Sequence, residues 1–409
     1  MRTGRTLPPT AAPVGATAIA AAVGAIFADA PVSTREEEIA RYLGHAQAVL
    51  LSSGKAALAV VLEALKAGEG TRAVAIPAYT CYSVPAAVVR AGLEPVLVDV
   101  DPETFDFDPA SLERAFARPD LLAVIPTHLF GIPANIDRVQ ALRGRRRIAI
   151  IEDAAQAFGV AAPGGGRLGA RGDAAIFSLG RGKHLSAGGG GLIATRDLEL
   201  AARVRSMVAG LPTPGLVRRA RTALELAIVD LLVQPSVYWL PAGLPFLGIG
   251  ETDYAPHFNP GGPVAPAVAA LEGWSARLER SLAGRLAQST RYITDCGFVP
   301  PGGAARPFLR FPVLLDSAGE RTRVLAEARR LGLGVSGMYP TAIHQVPELR
   351  DRFREGAWPG ADAIQARLVT LPTHAYVDDR DRRAIGALLR ARGQSTPAAT
   401  RSSRTAAVL

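Results

Sequence analysis

The 409-residue sequence predicts an α/β fold, with a large, mostly parallel β-sheet domain and a smaller C-terminal α/β domain. Short apolar segments alternate with segments of helical periodicity from about residue 48 to residue 194. The strand-like segments are apolar at nearly every position, which is typical of parallel strands covered by helices on both faces. A shorter alternation recurs between residues 308 and 389.

The individual elements follow from the same periodicities. Strands of the large sheet are predicted at residues 48–51, 73–76, 95–100, 122–126, 148–151, 174–177 and 192–194, and helices at 36–43, 55–67, 84–90, 110–116 and 136–142. In the small domain we predict a helical stretch over 263–282, strands at 308–315 and 335–339, and helices at 318–331 and 379–389. The predicted domains are an N-terminal arm or helix (1–35), a large domain (36–210), an apolar insertion (211–258), a small domain (259–391) and a disordered tail (392–409).

Composition narrows the possible functions. The chain has 46 basic and 37 acidic residues, a net charge of +9, but the arginines are scattered and no basic run is interleaved with aromatic residues. We therefore predict no nucleic-acid partner. The two cysteines, Cys81 and Cys296, form neither a disulfide framework nor a zinc site, which fits a reducing cytoplasm. Only three of the basic residues are lysines, so chemistry that needs an amine has three candidates.

Two glycine patterns do not predict nucleotide binding. The glycines 332, 334 and 337 match the spacing of the dinucleotide fingerprint, but they follow a predicted helix and precede a strand, which reverses the required order. The pairs Gly54-Lys55 and Gly182-Lys183 lack the upstream glycine and the following serine or threonine of a P-loop.

Three short segments carry the chemical prediction. Ser52-Ser53-Gly54 ends a strand and opens a helix, where free amides and the helix dipole can hold an anion, although any capped helix begins in this way. Glu152 and Asp153 end a buried strand at the edge where α/β sheets bind ligands, although Asp153 could also cap a helix. Lys183 follows another strand in a glycine-rich loop, where partial burial would lower the pKa of its amine and favour Schiff-base chemistry.

The other two lysines are weaker candidates for that chemistry. Lys66 lies on a polar helix face, and Lys55 is placed to touch a phosphate. We predict no metal site, because no further histidine or carboxylate lies near Glu152 and Asp153 in the sequence. A phosphate cradle, a carboxylate for a ring nitrogen and a lysine for an aldehyde together suggest a pyridoxal phosphate site.

The chain also resembles the DegT/DnrJ-type sugar aminotransferases, which have the aspartate-aminotransferase fold (fold type I). The matching segments are SSGKAAL at 52–58, IPAYTCYSVPAAV at 76–88, EPVLVDVDPETFDFDPASLE at 94–113, VIPTHLFGIPANID at 124–137, IIEDAAQAFG at 150–159, FSLGRGKHLSAGGGG at 177–191, GVSGMYPTAIHQVPEL at 334–349 and LVTLPTH at 368–374. Taken in order, they cover nearly all of the chain from about residue 36 to residue 390.

The resemblance implies roles for the cofactor-binding residues. Lys183 would form the Schiff base with pyridoxal phosphate and then move a proton between substrate atoms. Asp153 would hold the ring nitrogen protonated, and Gln156 would contact the ring or its 3-oxygen. The phosphate would be held by Ser178, Gly54 and Lys55.

Other positions depart from the family pattern. The family stacks an aromatic side chain on the ring at the position of Cys81, so the neighbouring Tyr82 is the candidate here. Substrate contacts are expected from His184, Tyr339 and His344, while Met338 stands where the family has a histidine. Asn259 matches only loosely the asparagine with which the family reaches the phosphate of the partner subunit.

The resemblance implies transfer of an amino group from L-glutamate to a nucleotide-linked keto-sugar. Such a reaction would serve the biosynthesis of an amino sugar for a polysaccharide or a secondary metabolite, and a homodimer is implied. One alternative is a pyridoxal phosphate-dependent sugar dehydratase or deoxygenase, but those relatives carry histidine in place of the lysine. The other is a non-catalytic sensor or scaffold that keeps the fold.

Two further segments leave alternatives open. Residues 11–27 are apolar, follow Arg2 and Arg5 and precede Ala28-Asp29-Ala30, as in a signal peptide. We favour an alanine-rich first helix and a cytoplasmic location. The insertion at 211–258 is predicted to pack against a dimer partner, with a peripheral membrane contact or lipid-linked substrate through 218–250 as the alternative.

Overall fold

The computed structural model describes residues 4–66, 70–243 and 253–391. Its main feature is a seven-stranded sheet in the order β1-β7-β6-β5-β4-β2-β3. The strands are β1 (Gln47–Leu51), β2 (Ala73–Pro77), β3 (Glu94–Val98), β4 (Leu121–Val124), β5 (Ala149–Asp153), β6 (Ala174–Ser178) and β7 (Gly191–Thr195). Only β7 runs against its neighbours β1 and β6, which confirms the prediction of a mostly parallel sheet.

Helices accompany the strands of this sheet. They are α2 (Val32–Leu43), α3 (Gly54–Leu65), α4 (Ser83–Arg90), α5 (Pro109–Phe116), α6 (Ile136–Arg143) and α7 (Leu198–Ala209). The side chains of Ser53, Asp108, Asn135 and Asp197 accept hydrogen bonds from backbone amides in the first turns of α3, α5, α6 and α7. Nine of the twelve residues of α3 are buried, so this helix is fixed firmly against the sheet.

The C-terminal part forms a smaller α/β unit around a two-stranded antiparallel sheet. It contains α10 (Ala265–Ala269), α11 (Trp274–Thr294), β8 (Arg310–Leu314), α12 (Ala318–Leu331), α13 (Pro359–Arg367), β9 (Leu368–Pro372) and α14 (Asp379–Arg390). The predicted single helix over 263–282 is wrong: Gly273 adopts a left-handed conformation (φ 60°) and separates α10 from α11.

The predicted strand over 335–339 is also wrong. Ser336 forms only an isolated bridge with Thr370. The strand that pairs with β8 is β9, which is not among the predicted strands. The apolar pattern at 335–339 reflects burial of Val335 and Tyr339 in the core rather than strand pairing.

The N-terminal segment and the predicted insertion pack together. Helix α1 (Ala16–Gly24) contacts α8 (Leu216–Leu232) and α10, and it buries Ala18 and Ala22. A short helix, α9 (Trp239–Ala242), follows α8. No helix in the described part of the chain is both long and apolar enough to cross a bilayer. Residues 244–252 of the predicted insertion and the predicted tail at 392–409 lie outside the described residues.

Candidate active site

A cavity of about 400 Å³, which we call the lysine cavity, lies where β5, β6 and the N-terminus of α3 meet. Seven of the predicted site residues line it: Gly54, Lys55, Asp153, Gln156, Ser178, Lys183 and Tyr339. They come from five separate segments of the chain. The fold therefore brings the three sequence signals to one place, at the carboxyl edge of the sheet.

The start of α3 forms one wall of this cavity. Ser53 Oγ accepts a hydrogen bond from the amide of Ala56 (3.1 Å), and the amides before Ala56 have no acceptor within the helix. A side chain at Gly54 would place its Cβ 3.1 Å from Ser178 Cβ, so only glycine leaves this corner open. Gly191 is more tightly constrained, because an added Cβ would overlap the backbone of Ser53 and Gly54. This wall is suited to an anionic group such as a phosphate.

The ammonium group of Lys55 is engaged elsewhere. Lys55 Nζ lies 3.3 Å from the carbonyl oxygen of Ala255 and 4.3 Å from the centre of the Phe258 ring. Burial lowers the pKa of this amine. In this structure Lys55 therefore offers the wall of the cavity its backbone, while its side chain ties α3 to the segment around residue 258.

The two acids at the end of β5 have separate environments because successive side chains of a strand point to opposite faces. Asp153 lines the lysine cavity, and its Oδ1 accepts a hydrogen bond from the Ala155 amide (3.0 Å). Burial raises the pKa of Asp153, and the charge of Lys183 partly offsets that rise. Glu152 faces away and pairs with His128 Nε2 at 2.8 Å, so it belongs to a buried structural network.

Lys183 lies in the loop between β6 and β7. Burial lowers the pKa of its amine, while Cys81 and Asp153 act in the opposite direction. Among the described residues, Lys183 Nζ has no hydrogen-bond partner. A lysine in this state has an accessible neutral form, which is the nucleophilic one.

Gln156 and Tyr339 form a hydrogen-bonded pair in the wall of the cavity. Gln156 Nε2 donates to Tyr339 Oη (2.7 Å), and Gln156 Oε1 accepts from the Phe130 amide (3.1 Å). Burial raises the pKa of Tyr339 well above its ordinary value, so its hydroxyl stays protonated. The pair joins the large sheet to the C-terminal unit across the cavity.

Three predicted site residues do not line the cavity. Tyr82 was the candidate for ring stacking, but its hydroxyl lies 2.7 Å from Thr341 Oγ1, and Cys81 lines the cavity instead because neighbouring side chains diverge. His184 is buried on the far side of the loop, with Nε2 3.1 Å from the carbonyl oxygen of Gln156. His344 stacks on Trp358 with ring centres 4.9 Å apart.

Comparison with known proteins matches the N-terminal part of the chain to one family. Residues 24–222 match the model of the DegT/DnrJ/EryC1/StrS aminotransferase family. This part of the chain is therefore similar to that family. It contains α3, β5, β6 and the loop of Lys183, so most of the lysine cavity lies in the family region.

Individual proteins are similar to this chain over a comparable length. The erythromycin biosynthesis sensory transduction protein EryC1 of Saccharopolyspora erythraea is 40% identical over 171 residues, 42% of this chain and 46% of that protein. A UDP-N-acetyl-3-dehydro-alpha-D-glucosamine 3-aminotransferase of Acidithiobacillus ferrooxidans is 38% identical over 173 residues, again 42% of this chain and 46% of the relative. The match thus spans less than half the length of either relative.

A crystal structure extends the likeness to the rest of the fold. A DegT DnrJ EryC1 StrS aminotransferase from Brucella abortus is 26% identical, with a TM-score of 0.71 over 91% of this chain and 94% of that one. The predicted fold class, that of the fold type I transferases, is confirmed.

Sequence reasoning missed several residues that line the lysine cavity in or near the family region. Thr80 and Thr127 line it, and each has a buried Oγ1 without a hydrogen-bond partner among the described residues. Ser83 and Asp253 line it as well. Thr80 and Thr127 each lie three residues beyond the end of a strand of the parallel sheet, β2 and β4, and this position could have identified them.

Proposed function

We propose that the protein is a pyridoxal phosphate-dependent aminotransferase that transfers an amino group from L-glutamate to a nucleotide-linked keto-sugar. The observation that carries the proposal is the placement of Lys183 and Asp153 in one cavity whose far wall is the amide-lined start of α3. The name of the Acidithiobacillus relative, an aminotransferase of a UDP-linked dehydro-sugar, supports the substrate class.

The residues of the lysine cavity fit the cofactor. Asp153 has one carboxylate oxygen without a hydrogen bond among the described residues, and the hydroxyls of Thr80 and Thr127 are buried and unpaired. A bound ring and phosphate would give these groups partners. The absence of a Cβ at Gly54 leaves room for a phosphate against the amides of α3.

When bound, pyridoxal phosphate supplies an aldehyde that takes up amines and a ring that accepts electron density. The chain supplies the rest. Asp153, opposite a protonated ring nitrogen, would gain a positive partner in addition to the more distant charge of Lys183, because its second carboxylate oxygen has no hydrogen bond among the described residues. Lys183 Nζ would bind the aldehyde at rest and, once released as a neutral amine, would carry the proton that moves between the substrate carbon and the cofactor carbon.

The test is the absorbance spectrum of the purified protein with pyridoxal phosphate, before and after addition of L-glutamate. We expect a visible band that shifts to shorter wavelength on addition of L-glutamate, with release of one 2-oxoglutarate per chain. A visible band that does not change when L-glutamate is added would overturn the assignment of L-glutamate as the amino donor. A protein that takes up no cofactor would overturn the enzyme assignment and favour a sensor, in line with the name of the EryC1 relative, a sensory transduction protein.

We also propose that the protein is a cytoplasmic homodimer in which a second copy covers α8. Val217, Leu224 and Leu231 are 84%, 61% and 54% exposed and recur every seven residues, so they form one apolar stripe along the helix. Sedimentation should show a dimer that Leu224→Glu weakens. Flotation of the wild-type chain with anionic vesicles, lost in the same variant, would instead support the membrane contact.

A further inference from the structure

A second cavity lies on the other side of the loop that carries Lys183. It has a volume of about 370 Å³, and we call it the arginine cavity because Arg277, Arg280 and Arg285 of α11 line it. His184 and His374 complete its polar wall. No acidic side chain lines it among the residues that the structure describes.

The arginines of this cavity lack carboxylate partners. Within the described chain, none of the three forms an ion pair. Arg285 is 1% exposed, and its guanidinium donates to neutral oxygens, those of Ala11, Leu309, Thr373 and Ser281. Arg277 Nε is buried and has no hydrogen-bond partner there. Asp230 acts on Arg277 only at longer range, and its Oδ1 accepts a hydrogen bond from the Val14 amide.

The two histidines present acceptors rather than donors. His184 Nε2 lies 3.1 Å from the carbonyl oxygen of Gln156, and His374 Nε2 lies 2.9 Å from that of Pro8. Because a carbonyl only accepts, each Nε2 carries the ring proton and each Nδ1 holds a lone pair. Both Nδ1 atoms are buried and have no partner among the described residues. Burial also lowers the pKa of both rings, so they are neutral at physiological pH.

A buried cation without a counter-charge and a buried acceptor without a donor are both costly, and one ligand can satisfy both. Such a ligand carries negative charge for the arginines and hydroxyl hydrogens for the two Nδ1 atoms. Sulfate has the charge but no hydroxyl, whereas a phosphate ester of a small polyol has both. The cavity volume is sufficient for a molecule of that size.

We propose that the arginine cavity is a second binding site, separate from the lysine cavity, for a phosphate ester that carries hydroxyl groups. The site adjoins the lysine loop through His184, which follows Lys183 in the sequence. The proposal does not rest on the proposed function, because the side chains that would contact the ligand all line the arginine cavity. Of the cofactor residues, only Gln156 is involved, and only through its backbone carbonyl.

Binding of inorganic phosphate, which keeps a P–O–H group at pH 7, tests the proposal. Isothermal titration is performed on full-length protein saturated with pyridoxal phosphate, so that the start of α3 is already occupied. We expect one saturable phosphate per chain, weaker binding of sulfate and tighter binding of α-D-glucose 1-phosphate. If the protein takes up no pyridoxal phosphate, the cofactor assignment fails, and phosphate can then bind at both places.

Three variants identify the site. Gly284 lines the cavity and has open space where a Cβ would lie, so Gly284→Leu fills the cavity without removing a charge and should abolish phosphate binding. Arg280→Ala removes an exposed charge and should weaken binding at least about tenfold. Arg329→Ala is the matched control, since this exposed arginine of α12 lies outside the cavity.

The outcomes are decisive in both directions. Phosphate binding that is lost in Gly284→Leu, weakened in Arg280→Ala and unchanged in Arg329→Ala supports the site. No phosphate binding by the wild-type chain, or binding that survives Gly284→Leu in a variant with native far-ultraviolet circular dichroism, would overturn it. Equal affinity for sulfate and phosphate would overturn the role assigned to the two histidines.

Discussion

The lysine cavity and the arginine cavity lie on opposite sides of one loop, and they differ in how their charges are balanced. In the lysine cavity a lysine shares the space with Asp153, so the protein supplies both signs of charge. In the arginine cavity three guanidinium groups share the space with two neutral imidazoles. The first cavity therefore contains charges of both signs, whereas in the second the buried guanidinium group of Arg285 has no anionic partner among the described residues.

The difference is established at consecutive residues. Lys183 lines one cavity and His184 lines the other. The loop between them and β7 is held to the start of α3 by the bridge between Ser53 and Gly190. A substitution in the lysine cavity should therefore affect amino transfer. A substitution in the arginine cavity should affect ligand binding or the pH dependence of stability.

The largest expected effect is on the lysine side. Lys183→Ala should abolish amino transfer and the visible absorbance band. Among the described residues, the only other lysine that lines the cavity is Lys55, and its ammonium group contacts Ala255 and Phe258 instead. Lys66→Ala is the matched control, since that exposed lysine only donates to the carbonyl of Ala91. Initial rates of 2-oxoglutarate formation measure both. Substantial turnover by Lys183→Ala would remove Lys183 from the mechanism.

A pair of glycine substitutions contrasts the packing of the two cavities. Gly191→Ala should lower the free energy of unfolding by about 3 kcal/mol, because the added methyl group would overlap the backbone of Ser53 and Gly54. Gly284→Ala should raise it by about 0.5–1 kcal/mol, because the added methyl group meets open space on a helix. Urea unfolding of both variants provides the comparison. Similar values for the two would mean that the start of α3 adapts to overpacking.

The third expected effect concerns pH on the arginine side. Burial lowers the pKa of His374 to about 3, so protonation of the ring opposes folding. A base with a lowered folded-state pKa loses stability as the pH falls below its unfolded value of about 6.5. Between pH 7 and pH 5 the wild-type chain should lose about 2 kcal/mol more stability than His374→Gln. Unfolding in phosphate-free buffers measures this difference, and parallel pH profiles would show that His374 is not buried as described.

The two cavities also differ in how far the sequence predicts them. The lysine cavity could be predicted because parallel strands place their carboxyl ends at one edge, so residues that follow different strands converge there. The scarcity of lysine then left few candidates for the amine. It was harder to predict which of two neighbouring side chains faces the cavity. Asp153 lines it and Glu152 does not, and Cys81 lines it and Tyr82 does not.

The arginine cavity could not be predicted in the same way. Its lining comes from residues 11–15, 184–186, 277–285 and 374–375, and no single one of these segments has a recognisable motif. The only local signal is the spacing of Arg277, Ser281 and Arg285, which places three polar side chains on one face of α11. A site assembled from tertiary contacts among scattered basic residues requires the packing of the whole chain before it can be identified.

The smallest expected effect tests whether the charge of Asp153 is unbalanced in the cofactor-free lysine cavity. Burial raises the pKa of Asp153, so its ionised form opposes folding as the pH rises above the unfolded value, and at neutral pH the carboxylate destabilises the cofactor-free protein. Asp153→Asn keeps the shape and the acceptor for the Ala155 amide while it removes the charge. The cofactor-free variant should therefore melt roughly 2 °C higher than the wild type, although its rate of amino transfer falls. Differential scanning calorimetry of both cofactor-free proteins measures the shift. A lower melting temperature for the variant would mean that Lys183 already compensates the charge of Asp153, and the lysine cavity would then be balanced without a ligand.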